Sequence, residues 1–365
     1  MTDTALSTTH LVAWLGFFLA LVFGYVANKS SFCTMGAVSD VVTMSEWGRM
    51  RAWLLAIGVA VLGTSILVHQ GHLDITKTYY TRESFHWLAA LVGGIAFGIG
   101  MTLASGCGQR TLVRVGGGNL KSVVVLIFLG YSALVTMNGI FRVFVDNVLR
   151  AEMFTVHLEH MQTLPDVLHL SGSGARLILG TAVSLGVLAF VFSSREFRSS
   201  FDNVLAGTVV GLVIVGGWYV TGTIGLTQNE YLEMAYVGTD SRLAESMSFV
   251  GPLAYAMDLF VYWRDKRVTF GVACVFGVVA GSFLYSVVHR TFRWEYFNSP
   301  QDMFRHIVGA ILMGFGGVTA AGCTIGQGVT GISTLSLCSF VALSGIIAGA
   351  AATMKFQYHL LMRNG

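Results

Sequence analysis

Nine apolar runs of bilayer length dominate the sequence. They fall near 11–27, 52–69, 86–104, 120–141, 175–192, 203–220, 269–288, 304–321 and 334–353. Each is close to the roughly 20 residues that an α-helix needs to cross the hydrocarbon core. Within that core only helices and closed barrels satisfy every backbone N–H and C=O, so runs of this length predict an all-α polytopic membrane protein of about nine transmembrane helices. Composition agrees: 54% of the residues are apolar and 11% are charged, against about 25% charged in an ordinary soluble domain. That excludes a soluble multidomain enzyme, and so much apolar surface excludes disorder. The formal net charge of +3 gives no reason to expect nucleic acid as a partner. Met1 to His10 carry no Lys or Arg, so the first run reads as a true span and not as a signal peptide.

Two segments break the pattern. The run 249–263 is shorter and contains Pro252 and Asp258; it reads as a half-helix that enters and leaves on one side. Between Arg142 and Ala175, acids and His alternate with Phe144, Val148, Met153, Phe154 and Leu158, the pattern of an amphipathic helix lying on the membrane surface. There His157 and His160 have the spacing of a metal-binding pair, but no third ligand is marked and a solvated polar face is the simpler reading. No metal or cofactor is expected. The chain has five Cys and no CxxC pair, so neither a disulfide framework nor a zinc ribbon is indicated.

The chain repeats itself. Gly93–Cys107 reads GGIAFGIGMTLASGC and Gly309–Cys323 reads GAILMGFGGVTAAGC, with seven of fifteen positions identical at an offset of 216. Each segment is an apolar helix that ends in Gly-Cys and opens into a Gly-rich stretch. With the fifth span as connector, the second half is turned upside down relative to the first, the inverted-repeat plan of many transporters. The expected organisation is one transmembrane domain: a first repeat over 10–142, a surface helix and connecting span over 143–202, a second repeat over 203–353 and a tail over 354–365. The balance of Lys and Arg between the two sides places the N-terminus outside and the C-terminus in the cytoplasm. The polar stretch around Cys33 is expected to correspond to Thr221–Gly225.

Three polar interruptions carry the chemistry: Ser31–Gly36, Ser105–Arg110 and Gly322–Gly328, each centred on one cysteine. Backbone leaves the helix at membrane depth only where it lines a cavity or is covered by protein, and half-helix starts favour anions. Cys33, Cys107 and Cys323, with no carboxylate among them, suit a soft anionic ligand. Gly106, Gly108 and Gly322 allow close backbone approach, and Arg110 and Gln327 add polar groups to the same stretches. Arg110 and the nearby Arg114 are functional if they lie within the membrane and ordinary interfacial charges if they are shallow. Cys274 and Cys338 read as small buried hydrophobes. Gly116–Asn119 has no preceding strand and no Gly-Lys-Ser/Thr, so it is not a phosphate loop.

These stretches carry a resemblance. SGCGQRTLVRVGGGNLKSVV (Ser105 to Val124), GCTIGQGVTGISTLS (Gly322 to Ser336) and SFCTMGAV (Ser31 to Val38) resemble the signatures of the YeeE/YedE family of bacterial and archaeal sulfur transport proteins. The resemblance spans essentially the whole chain. It implies thiosulfate uptake across the cytoplasmic (inner) membrane and an hourglass with loops dipping from both faces. It also implies three pathway cysteines, which map onto Cys33, Cys107 and Cys323. Many members work with a TusA-like cytoplasmic sulfur-carrier protein, and some relatives are linked to selenium.

The expected function is uptake of thiosulfate or a similar sulfur oxyanion, with no enzyme activity. Backbone N–H groups would meet the oxygens, and neutral thiols would make weak S–H···S contacts to the terminal sulfur. Two alternatives stay open. One is a membrane sulfurtransferase with a persulfide-forming cysteine; the other is a transporter of a selenium-containing or other small anion.

Overall fold

The computed structural model describes residues 3–158, 160–170, 172–228, 234–261 and 268–364. In chain order the helices are α1 (Asp3–Lys29), α2 (Thr34–Ser39), α3 (Gly48–His69), α4 (Trp87–Leu103), α5 (Gly108–Gly116), α6 (Leu120–Asn138), α7 (Ile140–Phe144), α8 (Leu164–Val167), α9 (Ser173–Phe192), α10 (Arg195–Ser199), α11 (Phe201–Tyr219), α12 (Val250–Val261), α13 (Phe270–Val288), α14 (Pro300–Thr319) and α15 (Leu337–Asn364). Among the described residues, strands are confined to two small antiparallel pairs, Ser84–Phe85 with Val156–His157 and Leu226–Gln228 with Met234–Tyr236. The protein is an all-α polytopic membrane protein. Eight helical segments are long and apolar enough to cross a membrane. The run expected at 304–321 is the helix α14, whose first turns hold Asp302, Arg305 and His306 and make it less apolar than those eight.

Small residues set the packing, because apolar side chains alone give no preference for helix over lipid. At the α4–α14 crossing, a Cβ on Gly93 would lie 2.5 Å from Ala320 N and 2.8 Å from Gly316 O. A Cβ on Gly309 would lie 2.7 Å from Ala104 N and 2.6 Å from Gly100 O. Shifting these numbers by 216 exchanges the two sets of contacts, and the two helices run antiparallel. Other pairs meet in the same way: α1 packs along α13, α3 along α11, α4 along α15 and α6 along α14.

The segment expected as one amphipathic surface helix is not one. It consists of α7, a π-helical turn (Val145–Leu149), a 3-10 turn (Glu152–Phe154), a two-residue strand and α8. Gly139 ends α6 with an extended backbone, and His169 adopts a left-handed conformation after α8. Side chains hold these pieces as a folded cap: Arg142 and Arg150 both pair with Asp146, and Arg176 pairs with Asp166. His157 pairs with the exposed Glu152 rather than with His160. Among the described residues, no group of three His, Cys, Asp or Glu is placed to hold a metal.

Candidate functional site

The three cysteines occupy one local motif, built three times. α1, α4 and α14 each end in a residue with left-handed backbone: Ser31 (φ 52°), Ser105 (φ 56°) and Ala321 (φ 61°). The next residue closes the helix with a bond back five residues: Phe32 N–H to Ala27 O (3.1 Å), Gly106 N–H to Met101 O (2.9 Å) and Gly322 N–H to Gly317 O (2.7 Å). This is the Schellman closure. A left-handed residue other than Gly costs about 1–2 kcal/mol, so three of them mark the breaks as places held by the rest of the fold. In each case the cysteine follows immediately. The glycines at 106 and 322 sit after the strained residue, not on it. A Cβ at Gly322 would come 3.0 Å from Gln327 Cγ, so glycine there makes room for the returning chain.

Each cysteine then starts a short helical segment. Cys33 caps α2 and Cys107 caps α5, both with extended backbone. Cys323 precedes the π-helical turn Gly326–Gly331. The sulfurs of Cys33 and Cys323 accept the N–H three residues on, from Gly36 at 3.5 Å and Gly326 at 3.3 Å. A sulfur that accepts a backbone N–H keeps its own hydrogen free to donate. Cys107 differs, because its thiol faces Gln109 Oε1 at 3.8 Å.

The breaks meet one another. Cys33 and Cys107 lie within hydrogen-bonding reach of each other, and the side chain of Thr324, next to Cys323, lies against Cys107. Gln109 Nε2 donates to Phe32 O at 3.4 Å, tying the second break to the first. All three cysteines are buried, at 8%, 0% and 1% exposure for Cys33, Cys107 and Cys323. Thr34 and Thr324 each follow a cysteine, and both are buried with hydroxyls that find no hydrogen-bond partner among the described residues. Buried polar groups are normally paired; these two hydroxyls, beside the cysteines, are donors that a ligand at this spot could take up. Sequence reasoning missed these threonines and Gln109; the Cys-Thr dipeptide present in two of the three stretches was the available signal.

Two cavities approach this core. One, of about 510 Å³, is lined by Asn28, Ser105, Arg110, Arg114, Arg293 and His306. The other, of about 320 Å³, is lined by Tyr80, Arg150, Glu245, Ser248, Ala321 and Gly322. The first reaches the break before Cys107 and the second the break before Cys323. Because α4 and α14 are antiparallel, the two cavities come in from opposite ends of the bundle. Arg114 Nη1 donates to Ser105 O at 2.8 Å. Arg110 makes no hydrogen bond or ion pair with another described residue and stands with its charge available in the Asn28 cavity.

The remaining expectations divide. Gly108 opens α5, with space for its missing Cβ ending 3.7 Å away at Leu129. Gln327 is tied to protein at both ends of its amide: it donates to Ala320 O (2.6 Å) and accepts from Ser339 Oγ (2.5 Å), so it braces the third break. Cys274 donates to Gly16 O at 3.4 Å in the α1–α13 contact, and Cys338 sits in the first turn of α15. The correspondence of Cys33 with Thr221–Gly225 is corrected. Thr221 lies in a π-helical turn and donates to Glu245 O (2.5 Å). The partner of α2 is α12: α2 packs on α3 and α15, and α12 packs on α13 and α6. At the offset of 216 the residue opposite Cys33 is Phe249, which precedes α12 as Cys33 precedes α2. Phe249 O accepts from Leu253 N–H as Cys33 O accepts from Ala37 N–H, so no cysteine stands at the fourth position.

A bundle of membrane-crossing helices, broken around buried thiols between two opposed cavities, is the architecture of a membrane transport protein. A profile of the family described as "Sulphur transport" matches residues 29–352, and the chain belongs to that family. Two curated relatives are each 24% identical to it. The thiosulfate transporter TsuA of Escherichia coli (strain K12) aligns over 351 residues, 92% of this chain and 91% of that protein. The thiosulfate transporter TsuA of Spirochaeta thermophila aligns over 343 residues, 92% of this chain and 96% of that protein.

Proposed function

We propose that the chain carries thiosulfate, or a closely similar sulfur oxyanion, inward across the cytoplasmic membrane, from the Glu245 cavity to the Asn28 cavity past Cys323, Cys107 and Cys33. The observation that carries this reading is the thrice-built break, which sets a buried thiol at each of three turns between two opposed cavities. The reciprocal glycine contacts of α4 and α14 support an inverted two-fold relation between 10–142 and 203–353. The N-terminus is then outside and the C-terminus cytoplasmic, with the two cavities as the halves of an hourglass.

Each part of the ion has a matching group. The terminal sulfur meets S–H donors, whose sulfurs at 33 and 323 already accept backbone N–H. The sulfonate-like end meets the orphaned hydroxyls of Thr34 and Thr324. Arg110 attracts the ion once it has passed the thiols. Three S–H···S contacts at a few tenths to 1 kcal/mol each sum to about 1–3 kcal/mol, a preference over sulfate of about 10- to 100-fold. Contacts this weak and this numerous let the ion leave as well as enter. A TusA-like carrier protein that takes up the sulfur fits the cytoplasmic end.

The positive field of Arg110 and Arg114 beside Cys33 favours one second reading, sulfur transfer through a cysteine persulfide. Proteoliposomes decide between the two. Thiosulfate labelled on both sulfurs should appear inside as the intact ion, slightly inhibited by excess sulfate. The Cys107→Ala, Cys323→Ala double variant should insert normally and carry none. Delivery of the outer sulfur alone would establish sulfur transfer, and normal uptake by the double variant would remove the thiol path.

A further inference from the structure

The path has an electrostatic asymmetry that its cysteines do not explain. The Asn28 cavity sets four cations, Arg110, Arg114, Lys121 and Arg293, against two carboxylates, Glu295 and Asp302. The Glu245 cavity sets two arginines, Arg142 and Arg150, against three acidic residues, Asp146, Asp240 and Glu245, so a dianion meets a less positive wall there.

The groups around Glu245 come from four parts of the chain. Asp240 is on its own loop and accepts from Thr269 Oγ1 at 2.6 Å. Tyr79 and Tyr80 come from the segment between α3 and α4, Tyr255 comes from α12, and Arg142, Asp146 and Arg150 come from the segment after α6. The two arginines both bind Asp146, at 3.3 and 3.2 Å, and Arg150 also reaches Val318 O. Glu245 has no ion pair with any described residue; its carboxylate accepts one hydroxyl, Ser241 Oγ at 3.0 Å. Its backbone is fixed at both groups, with N–H donating to Thr221 Oγ1 and C=O accepting from it. Among the described residues Glu245 is therefore an acid without an ion pair, held rigidly in the wall of the cavity that leads to Cys323.

We propose that the Glu245 cavity is a proton-linked receiving site: a divalent oxyanion binds there with Glu245 in its neutral form, which donates its proton in a hydrogen bond to an anion oxygen. The proposal rests on the anion-uptake reading above. The proton comes from water on the cavity side and joins the carboxylate; no other bond forms or breaks. The hydroxyls of Tyr80 and Ser248 line the same wall and complete a set of uncharged donors. Thermodynamic linkage follows. If anion binding needs the proton, then anion binding also draws the proton on.

The titration direction agrees with this arrangement. Burial and the neighbouring Asp240 push the Glu245 carboxyl up to about 8, against a smaller opposite pull from Ser241. Below that pH the acid is already neutral and binding is at full strength. Above it, binding has to pull a proton in, and the half-saturating concentration should rise about tenfold per pH unit.

The test uses the full-length protein. In weakly buffered detergent solution near pH 9, adding thiosulfate should take up close to one proton per chain, and near pH 6 almost none, about as linkage requires. In proteoliposomes the KM for external thiosulfate should be flat up to about pH 8 and then climb. In Glu245→Gln it should not change over the same range. If that variant does not fold, Ser241→Ala serves instead: losing a donor to the carboxylate should move the bend to higher pH. A wild type that binds thiosulfate with no proton uptake and a KM flat throughout overturns the proposal. A wild type that neither binds nor carries thiosulfate at any pH overturns the anion reading itself.

Discussion

The breaks at Cys107 and Cys323 share a backbone and differ in everything around it. Both follow a left-handed residue, both close with the same five-residue bond, and both are flanked by a glycine at the same offset. Yet the cavity before Cys107 holds Arg110 and Arg114, while the cavity before Cys323 holds Tyr80 and Glu245. A repeated local motif can thus be reused on both faces of a membrane, with the surroundings giving each copy its direction. On the uptake reading proposed above, the Tyr80 and Ser248 hydroxyls suit capture, and Arg110, which has no ion pair with another described residue, suits a low-energy stop after the thiols. The first half keeps a third thiol at Cys33 where the second half has Phe249, so the asymmetry extends to the break itself.

The largest test of this comparison is Arg110→Gln. Removing the contact of a dianion with a half-buried cation that has no ion pair among the described residues should cost about 1.5–3 kcal/mol, a rise in KM of about 10- to 100-fold. The rise should be greater when thiosulfate is offered from the Asn28 side in inside-out vesicles. Equal effects from both sides would mean that the cavities are not specialised. Next come Gly98→Ala and Gly314→Ala. Each new Cβ would meet a carbonyl on a neighbouring helix, Ile346 O and Leu129 O respectively. Overpacking of this kind costs about 1–3 kcal/mol, so both variants should melt at lower temperature in detergent by similar amounts. If only one is sensitive, the two halves do not share a packing plan.

Thr324→Val gives a smaller effect with opposite signs in two measurements. Removing an orphaned buried hydroxyl should leave thermal stability unchanged or slightly raised. Removing a neutral donor to the anion should raise the KM several-fold, for about 0.5–1.5 kcal/mol. Loss of stability with unchanged KM would show that the hydroxyl serves the fold. Smallest of all is Cys274→Ala, away from the three breaks in the α1–α13 contact. Uptake by this variant should match the wild type in the same assay that finds the Cys107, Cys323 double variant silent.

Much of this was legible in the residues, for a definite reason. In a bilayer the backbone must satisfy itself, so each apolar run of sufficient length dictates its own helix, and the nine expected runs are nine helices. The three stretches that break the pattern are where the helices stop. Gly-Cys at a 216-residue offset was enough to pair α4 with α14, because an identical local sequence takes an identical local turn. The region between 142 and 175 failed as a single helix because its periodic apolar residues are interrupted by capping and ion-pair contacts made inside the segment and with α14. Such contacts are invisible to a helical-periodicity count.

What the sequence determined by itself is therefore local: which segments cross the membrane, where they break, and that a thiol stands at three breaks. Only the tertiary structure decided what each thiol meets. That Cys33 adjoins Cys107, that Gln109 bridges to Phe32, and that Arg110 has no ion pair among the described residues while Gln327 is tied to Ala320 and Ser339 all depend on segments far apart in sequence. Their approach is set by glycines that let backbones come together, and the outcome of that packing is a property of pairs of helices, which no single stretch of chain encodes.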